Sequence, residues 1–424
     1  MASNALRTAN GTVETTRPAT GEHQGRNDRA AIWVDRIGTT ILARTLRKID
    51  RGSLSLTMPD GSVERIEGRE AGPSAVMELR RGRLIFRYLR NGAVGFAEGF
   101  IAGDFDSPDL ADLLHVLASN HEAWRKTYYG PWPSRLVRWY QHWRNDNSTA
   151  QAERNIHSHY DLGNEFFSAW LDPSMTYSSA LFEAGTADLE AAQEAKYEHL
   201  CRMIGLTQGQ EVLEIGSGWG GFALHAARHH GAKVTSLTIS RAQHELACRR
   251  VHEAGLGERI DIRYQDYRDL DGQFDAIASI EMFEAVGERY WPAYFDKLSL
   301  CLRPGGRAGL QIITIADAYF DRYRRTADFI QRYIFPGGCL PSISALRREF
   351  EKAGLSEKGL YAFGLDYART LRMWNERFQS VWDDLGPLGF DERFKRIWRY
   401  YLAYCEAGFR TGSTDVVQVA LARS

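Results

Sequence analysis

The spacing of apolar positions changes character along the chain. Residues 1–28 mix Thr, Asn, Gly and Arg with no apolar period and read as a flexible tail. In the stretch GSLSLTMPDGSVERIEG apolar and polar residues alternate on either side of Pro59-Asp60-Gly61, which predicts a β-hairpin. RLIFRYL predicts a further strand. DLADLLHVLASN has apolar residues at helical spacing after Ser107-Pro108-Asp109 and predicts a helix. Residues 29–120 therefore predict a small α+β domain. Beyond about Asn155, EVLEI, AKVTSLTI, RIDIRY, FDAIASI and RAGLQII alternate with helical stretches, and this predicts a doubly wound parallel α/β domain over 151–424.

The 424-residue length suits two such domains, and 44% hydrophobic with 25% charged residues excludes a mostly disordered chain. The formal charge of −1 gives no global basic field, so nucleic acid is not an expected partner. With no apolar run of membrane-spanning length and no secretory leader pattern, the expected location is cytoplasmic. Cys201, Cys248, Cys301, Cys339 and Cys405 are odd in number and scattered, which predicts reduced thiols. His157 and His159 have no companion at ligand spacing except Asp161, so no metal site is expected. Residues 121–150 interleave Trp124, Trp132, Trp139 and Trp143 with Arg125, Lys126, Arg135, Arg138 and Arg144. Such a connector suits a membrane-interface helix, or more simply an inter-domain helix whose indoles pack on protein.

The densest chemical signal is EVLEIGSGWGGFALHAARHHGA, a buried strand running into Gly216, Gly218, Gly220 and Gly221 and then a helix. Glycines there let the backbone turn tightly and approach a ligand. The spacing also satisfies the dinucleotide fingerprint, but the second strand ends in SLTIS with no acid for ribose hydroxyls, which counts against a nicotinamide cofactor. Glu214 before the first glycine instead resembles the first motif of class I S-adenosylmethionine-dependent methyltransferases. Seven further segments, NIHSHYDLGNEFFSAWLDPSMTYSSALF, LTISRAQ, QDYRDL, EMFEAVG, YIFPGGCLPS, DYARTLRMWNERF and RYYLAYCEAGFR, together resemble the cyclopropane fatty acid synthase family, from about residue 150 to the C-terminus.

The resemblance implies a Rossmann-like class I methyltransferase sheet with a smaller, lipid-binding-like N-terminal domain. It implies transfer of a methyl group from S-adenosylmethionine to a cis double bond in the acyl chain of a membrane phospholipid, through a carbocation. It assigns Tyr177, Ser178, Glu214, Gly216, Gly218, Trp219 and Gly220 to the cofactor, with Thr238 and Gln243 in place of the ribose-binding acid and Asp266 and Tyr267 beside the adenine. A bicarbonate that takes the final proton is implied at Ser179, Glu284, Gln311, Ile313 and Tyr367. Ser179 and Gln311 stand where many members have Cys and His, and Gln cannot become cationic. Ring closure and methyl or methylene branching therefore both remain open. Glu281, one turn before Glu284, reads as its exposed helical partner. Cys405 matches a cysteine with an active-site role in the family, although a buried structural thiol is the simpler reading. The resemblance further implies peripheral contact with the inner face of a membrane, while the sequence leaves open whether the chain forms a homodimer. A small-molecule N-methyltransferase and a non-catalytic lipid-binding protein are the competing readings.

Overall fold

The computed structural model describes residues 21–121 and 162–423. The connector and the His157/His159 pair lie outside the described residues.

The first helix, α1 (Gly21–Leu46), starts well before the expected domain edge, so residues 21–28 are helical rather than tail. Strands β1 (Arg51–Thr57) and β2 (Val63–Glu67) form the expected antiparallel hairpin. Its turn is held by Asp60, whose carboxylate accepts from the Ser62 backbone N–H at 2.9 Å, with Gly61 at φ 86°. β3 (Glu70–Leu79) pairs with β1 in parallel, and β4 (Phe105–Asp106) closes the sheet in the order β2-β1-β3-β4. The RLIFRYL segment is not a strand. It forms α2 (Leu84–Asn91), because Leu84, Ile85, Tyr88 and Leu89 fall on one helical face, and Leu84 and Ile85 are buried. α3 (Ala93–Ile101) follows, and then α4 (Leu110–Ser119), capped by the Asp109 carboxylate on the Asp112 N–H at 2.9 Å.

After α5 (Asn164–Trp170) and α6 (Leu189–Ile204), the chain alternates β5 (Glu211–Ile215), α7 (Gly221–His230), β6 (Lys233–Thr238), α8 (Arg241–Glu253), β7 (Ile260–Tyr264) and β8 (Phe274–Ile280). α9 (Trp291–Cys301) and β9 (Leu302–Ile315) come next, then α10 (Asp317–Tyr323), α11 (Phe329–Tyr333) and α12 (Ile343–Lys352). β10 (Leu355–Ala362), α13 (Gly364–Ser380), α14 (Trp382–Leu385), α15 (Glu392–Arg410) and β11 (Thr414–Arg423) complete the chain. The sheet order is β10-β11-β9-β8-β5-β6-β7, with β11 antiparallel to both neighbours and the central strands parallel. All five strands expected in this domain are present; β10 and β11 add to them. Alternation along the strands sends Leu213, Ile215 and Ile277 to one face, with α9 and α12, and Val212, Ala276 and Ala278 to the other, with α6, α7 and α8.

The two regions share a core. Leu54, Phe100, Phe105 and Leu113 belong to the same buried cluster as Trp170, Trp374 and Trp398. Arg396 of α15 reaches across, with Nε on the Phe100 carbonyl at 2.6 Å, Nη2 on the Phe105 carbonyl at 2.9 Å and Nη1 on Asp106 at 2.9 Å. Arg410 pairs with Asp112 at 2.6 Å.

Candidate active site

The carboxyl ends of β5, β6 and β8 open onto one cavity of about 2350 Å³ that continues between the two regions. Its walls include Leu42, Leu84, Phe86, Leu89 and Phe96 from the N-terminal region and Tyr177, Phe335, Tyr401 and Cys405 from the catalytic one. Every residue assigned to the cofactor lines it except Gly220, which sits just behind at the start of α7.

The glycine loop is built as its sequence suggests. Gly216 and Gly218 adopt φ 97° and 49°, a region that side chains disfavour. The N–H groups of Gly216 and Ser217 both donate to the Leu237 carbonyl, at 3.0 and 2.9 Å, which pins the turn to β6. Glu214 accepts from the Ser236 hydroxyl at 2.5 Å, and burial pushes its carboxyl up to about 8. Thr238 donates to Gln243 at 2.9 Å, so the two residues expected to replace the ribose-binding acid are hydrogen-bonded to each other. Asp266 is paired with Arg268 at 2.6 Å and caps the turn that places Tyr267 edge-on to Tyr294. Tyr177 shares a hydroxyl contact of 2.8 Å with Tyr401, and the Trp219 indole N–H donates to Asn164 at 2.8 Å. This chamber fits a nucleoside-bearing cofactor: it offers polar groups at the strand ends, an aromatic ring and glycines under the loop.

The second half of the site departs from expectation. Glu281 is no exposed helical partner of Glu284. It directly follows β8 in the left-handed region, at φ 49°, and lines the cavity. Ser179 N–H donates to its Oε1 at 2.8 Å, Gln311 Nε2 to the same oxygen at 2.8 Å, and the Tyr367 hydroxyl to Oε2 at 2.7 Å. Three of the groups expected around a bound bicarbonate thus hold a carboxylate of the chain itself. The fourth, the Ile313 N–H, donates to Glu284 Oε1 at 2.5 Å. Ser179 acts through its backbone, and its hydroxyl donates to the Ala180 carbonyl at 3.0 Å.

The two carboxyl groups differ electrostatically. Glu284 has a buried Oε2 without a hydrogen-bond partner, and burial, aggravated by the neighbouring Glu281, pushes it up to about 8. Burial also pushes Glu281 up, but the positive charge of Lys196 and three donors oppose the shift. A non-glycine residue in the left-handed region costs about 1–2 kcal/mol, a strain typical of functional positions. Cys405 lines the cavity, and burial raises its thiol well above the ordinary range, so it is held as a neutral thiol.

Helical spacing within a single segment hid Glu281, and nothing in the sequence pointed to Lys196. Sequence spacing also did not foreshadow Cys201, His225 and His230, whose donor atoms lie within 4.8 Å of one another. They stand outside the cavity lining, and Glu198 accepts from both imidazoles, at 3.3 and 2.8 Å. Among the described residues no helix is long and apolar enough to cross a membrane.

Sheet order, glycine loop and cofactor chamber define a doubly wound α/β protein with a nucleoside-type site at its strand ends, and its relatives make it an S-adenosylmethionine-dependent methyltransferase. Comparison with known proteins gives the family: residues 147–419 match the model described as mycolic acid cyclopropane synthetase, and the chain belongs to that family. The tuberculostearic acid methyltransferase UfaA1 of Mycobacterium tuberculosis is 41% identical over 406 residues, 91% of each chain. The cyclopropane-fatty-acyl-phospholipid synthase of Escherichia coli K12 is 40% identical over 265 residues, 62% of this chain and 66% of that protein. Among solved structures, mycolic acid cyclopropane synthase CmaA1 complexed with SAH and CTAB matches with a TM-score of 0.59 at 30% identity, covering 63% of this chain and 97% of that one.

Proposed function

We propose that this methyltransferase adds the methyl group of S-adenosylmethionine to the cis double bond of an unsaturated fatty-acyl chain carried by a membrane phospholipid, and that Glu281 accepts the proton released. The observation that carries this reading is the Glu281 carboxylate, clasped by Ser179, Gln311 and Tyr367 at the wall of a long, largely apolar cavity. When bound, S-adenosylmethionine supplies an electrophilic sulfonium methyl. An isolated alkene is a weak nucleophile, so the enzyme's task is to orient it and shelter the positive charge that develops on its carbon. Tyr177, Tyr367 and Tyr401 offer aromatic faces and hydroxyl dipoles along the cavity, and the apolar walls keep out water that would capture the cation.

Glu281 Oε1 or Oε2 then takes a proton, and the three donors hold the carboxylate in position for it. The product gains one CH2 overall and keeps one degree of unsaturation, as a ring or as a carbon–carbon double bond. We read Glu281 as the in-chain counterpart of the bicarbonate that the family resemblance implied, so added bicarbonate is not required. Glu284, neutral near pH 7, braces the Ile313 N–H and accepts the Cys339 N–H through its backbone carbonyl.

Branching is favoured over ring closure because the relative that matches over both regions is named a tuberculostearic acid methyltransferase. Ring formation is the second reading, supported by the cyclopropane-synthase relative over the catalytic region. A small-amine acceptor fits poorly with a cavity of about 2350 Å³ whose lining is mostly apolar. Peripheral membrane contact is supported by Ile32 and Trp33, exposed on α1, and by half-exposed Phe86 on the cavity wall in the neighbouring α2. The test is incubation of the protein with S-adenosylmethionine and vesicles of an oleoyl phospholipid, followed by mass spectrometry of the acyl chains. A gain of one CH2 per chain is expected; unchanged acyl chains with intact cofactor binding overturn the reading.

A further inference from the structure

Lys196 is the least expected titratable group among the described residues: burial pulls its ammonium down to about 7, and the negative charges of Glu281 and Asp172 oppose that shift. It is completely buried on α6, and Nζ donates to the Ser178 hydroxyl at 2.6 Å and to Gln193 Oε1 at 2.6 Å. It does not line the cavity. It stands behind the Ser178-Ser179 pair, of which Ser178 lines the cofactor chamber and Ser179 donates its N–H to Glu281. Burying an ammonium group costs several kcal/mol unless a partner repays it. Packing of this loop does not call for a cation, because the neutral Gln193 side chain already secures the Ser178 carbonyl at 3.0 Å.

We propose that Lys196 is a positioning residue that keeps Glu281 in its carboxylate form and ties the cofactor-side Ser178 to the base-side Ser179, a role that rests on the reading of Glu281 as the proton acceptor. The groups facing Glu281 support this assignment. Glu284 precedes α9 in the same connection, Tyr367 comes from α13, and Tyr401 comes from α15. All of these are acidic or neutral, and Lys196 is the cation whose field reaches Glu281. Asp172 adds a second negative charge near Lys196. The same helix braces the other side of the base: the Lys196 carbonyl accepts from Gln418 Nε2 at 3.1 Å, and Gln418 donates to Gln311 Oε1 at 2.9 Å. That bond orients the Gln311 amide so that its N–H points at Glu281. One residue thus supports the base through its charge on one side and through its backbone on the other.

The test combines a direct view of Glu281 with a pH profile. Isotope-edited infrared spectra of the wild-type protein, with the Glu281 band identified by its loss in Glu281→Gln, are expected to show a carboxylate at pH 7.5. A protonated carboxyl there overturns the proposal, whatever the variants do. In Lys196→Met and in Lys196→Gln, which keeps a hydrogen bond to Ser178, that band is expected to shift to the protonated form. The acid limb of kcat is expected to move to higher pH, with at least a tenfold loss at pH 7 that is recovered at higher pH. S-adenosylhomocysteine affinity is expected to stay within about threefold. An unmoved band and limb, or losses of activity and of affinity in equal measure, reduce Lys196 to a structural role. If the wild type methylates no acyl chain, the proposed function fails instead, and the infrared arm still decides the ionisation of Glu281.

Discussion

Replacing Glu281 probes the site most sharply, because two substitutions there have opposite remedies. Glu281→Gln keeps the shape, and its single amide oxygen can still accept from the Ser179 N–H and Gln311 Nε2 while its NH2 turns to the Tyr367 hydroxyl oxygen, which then accepts instead of donating, but it cannot take a proton. A positioned general base is worth about 10²–10⁴ in rate, or about 3–5 kcal/mol of barrier, so kcat should fall by that factor. Cofactor affinity should hold, since Glu281 belongs to the proton-accepting half of the site. Glu281→Gly removes the carboxylate and also the strain, because glycine tolerates φ 49° without penalty. It leaves Ser179 N–H, Gln311 Nε2 and the Tyr367 hydroxyl converging on an empty space sized for a small anion. Bicarbonate, or formate as a second carboxylate, should restore at least tenfold of the lost activity in Glu281→Gly and none in Glu281→Gln. The assay is incorporation of labelled methyl into oleoyl phospholipid at saturating cofactor, with and without each anion. Glu281→Gln within fivefold of wild type would refute the argument, as would a wild-type enzyme that stops working when bicarbonate is removed.

Further outcomes follow from the charges and contacts. Glu284 has its folded pKa raised to about 8 against an ordinary 4.5, so its contribution to stability is fully present below pH 4.5 and is lost as pH rises through about 8. Glu284→Gln should therefore gain thermal stability relative to wild type at pH 8.5 compared with pH 5.5; equal differences at both pH values contradict this. Arg396→Met should lower unfolding free energy by about 2–4 kcal/mol in denaturant titrations, since it removes the charged hydrogen bonds to Asp106 and to the Phe100 and Phe105 carbonyls at the junction of the regions; a loss under about 0.5 kcal/mol contradicts the shared core. Glu214→Ala should weaken S-adenosylhomocysteine binding at least tenfold in calorimetry, because it removes the acceptor of the Ser236 hydroxyl under the glycine loop; unchanged affinity removes Glu214 from the cofactor chamber.

What the sequence disclosed follows from locality. The glycine loop was legible because alternate positive-φ positions, Gly216, Gly218 and Gly220, favour glycine, and the parallel strands because burial on both faces leaves continuous apolar runs. RLIFRYL was misread because a short apolar run does not distinguish strand from helix, and tertiary burial of Leu84 and Ile85 decided the matter. β10 was missed because LSEKGLYA is a polar edge strand, half-covered on one side only. The fault at Glu281 is of another kind. Three-residue spacing to Glu284 suggested a helical face, whereas a left-handed kink at Glu281 followed by the tight turn Phe283–Ala285 sends the two carboxylates to different donors. Lys196 was invisible for a related reason, since apart from Gln193 on its own helix the groups it acts on, Ser178 and Glu281, lie far apart in sequence and no local pattern links them. The N-terminal domain read from apolar periodicity shares a core and a cavity wall with the catalytic region, a long-range fact that no window of sequence contains.

The central claim is methylation of an acyl-chain double bond with proton removal by the enzyme's own carboxylate. The measurement that meets it most directly uses cofactor carrying a fully deuterated methyl group, vesicles of an oleoyl phospholipid and bicarbonate-free buffer, with fragmentation mass spectrometry of the recovered chains. The account predicts chains enlarged by one added carbon at the former double bond in the wild type and none in Glu281→Gln. Two retained deuterons mark proton loss from the transferred methyl, and three mark loss from a chain carbon. Unaltered chains under these conditions, or equal product from Glu281→Gln, contradict it.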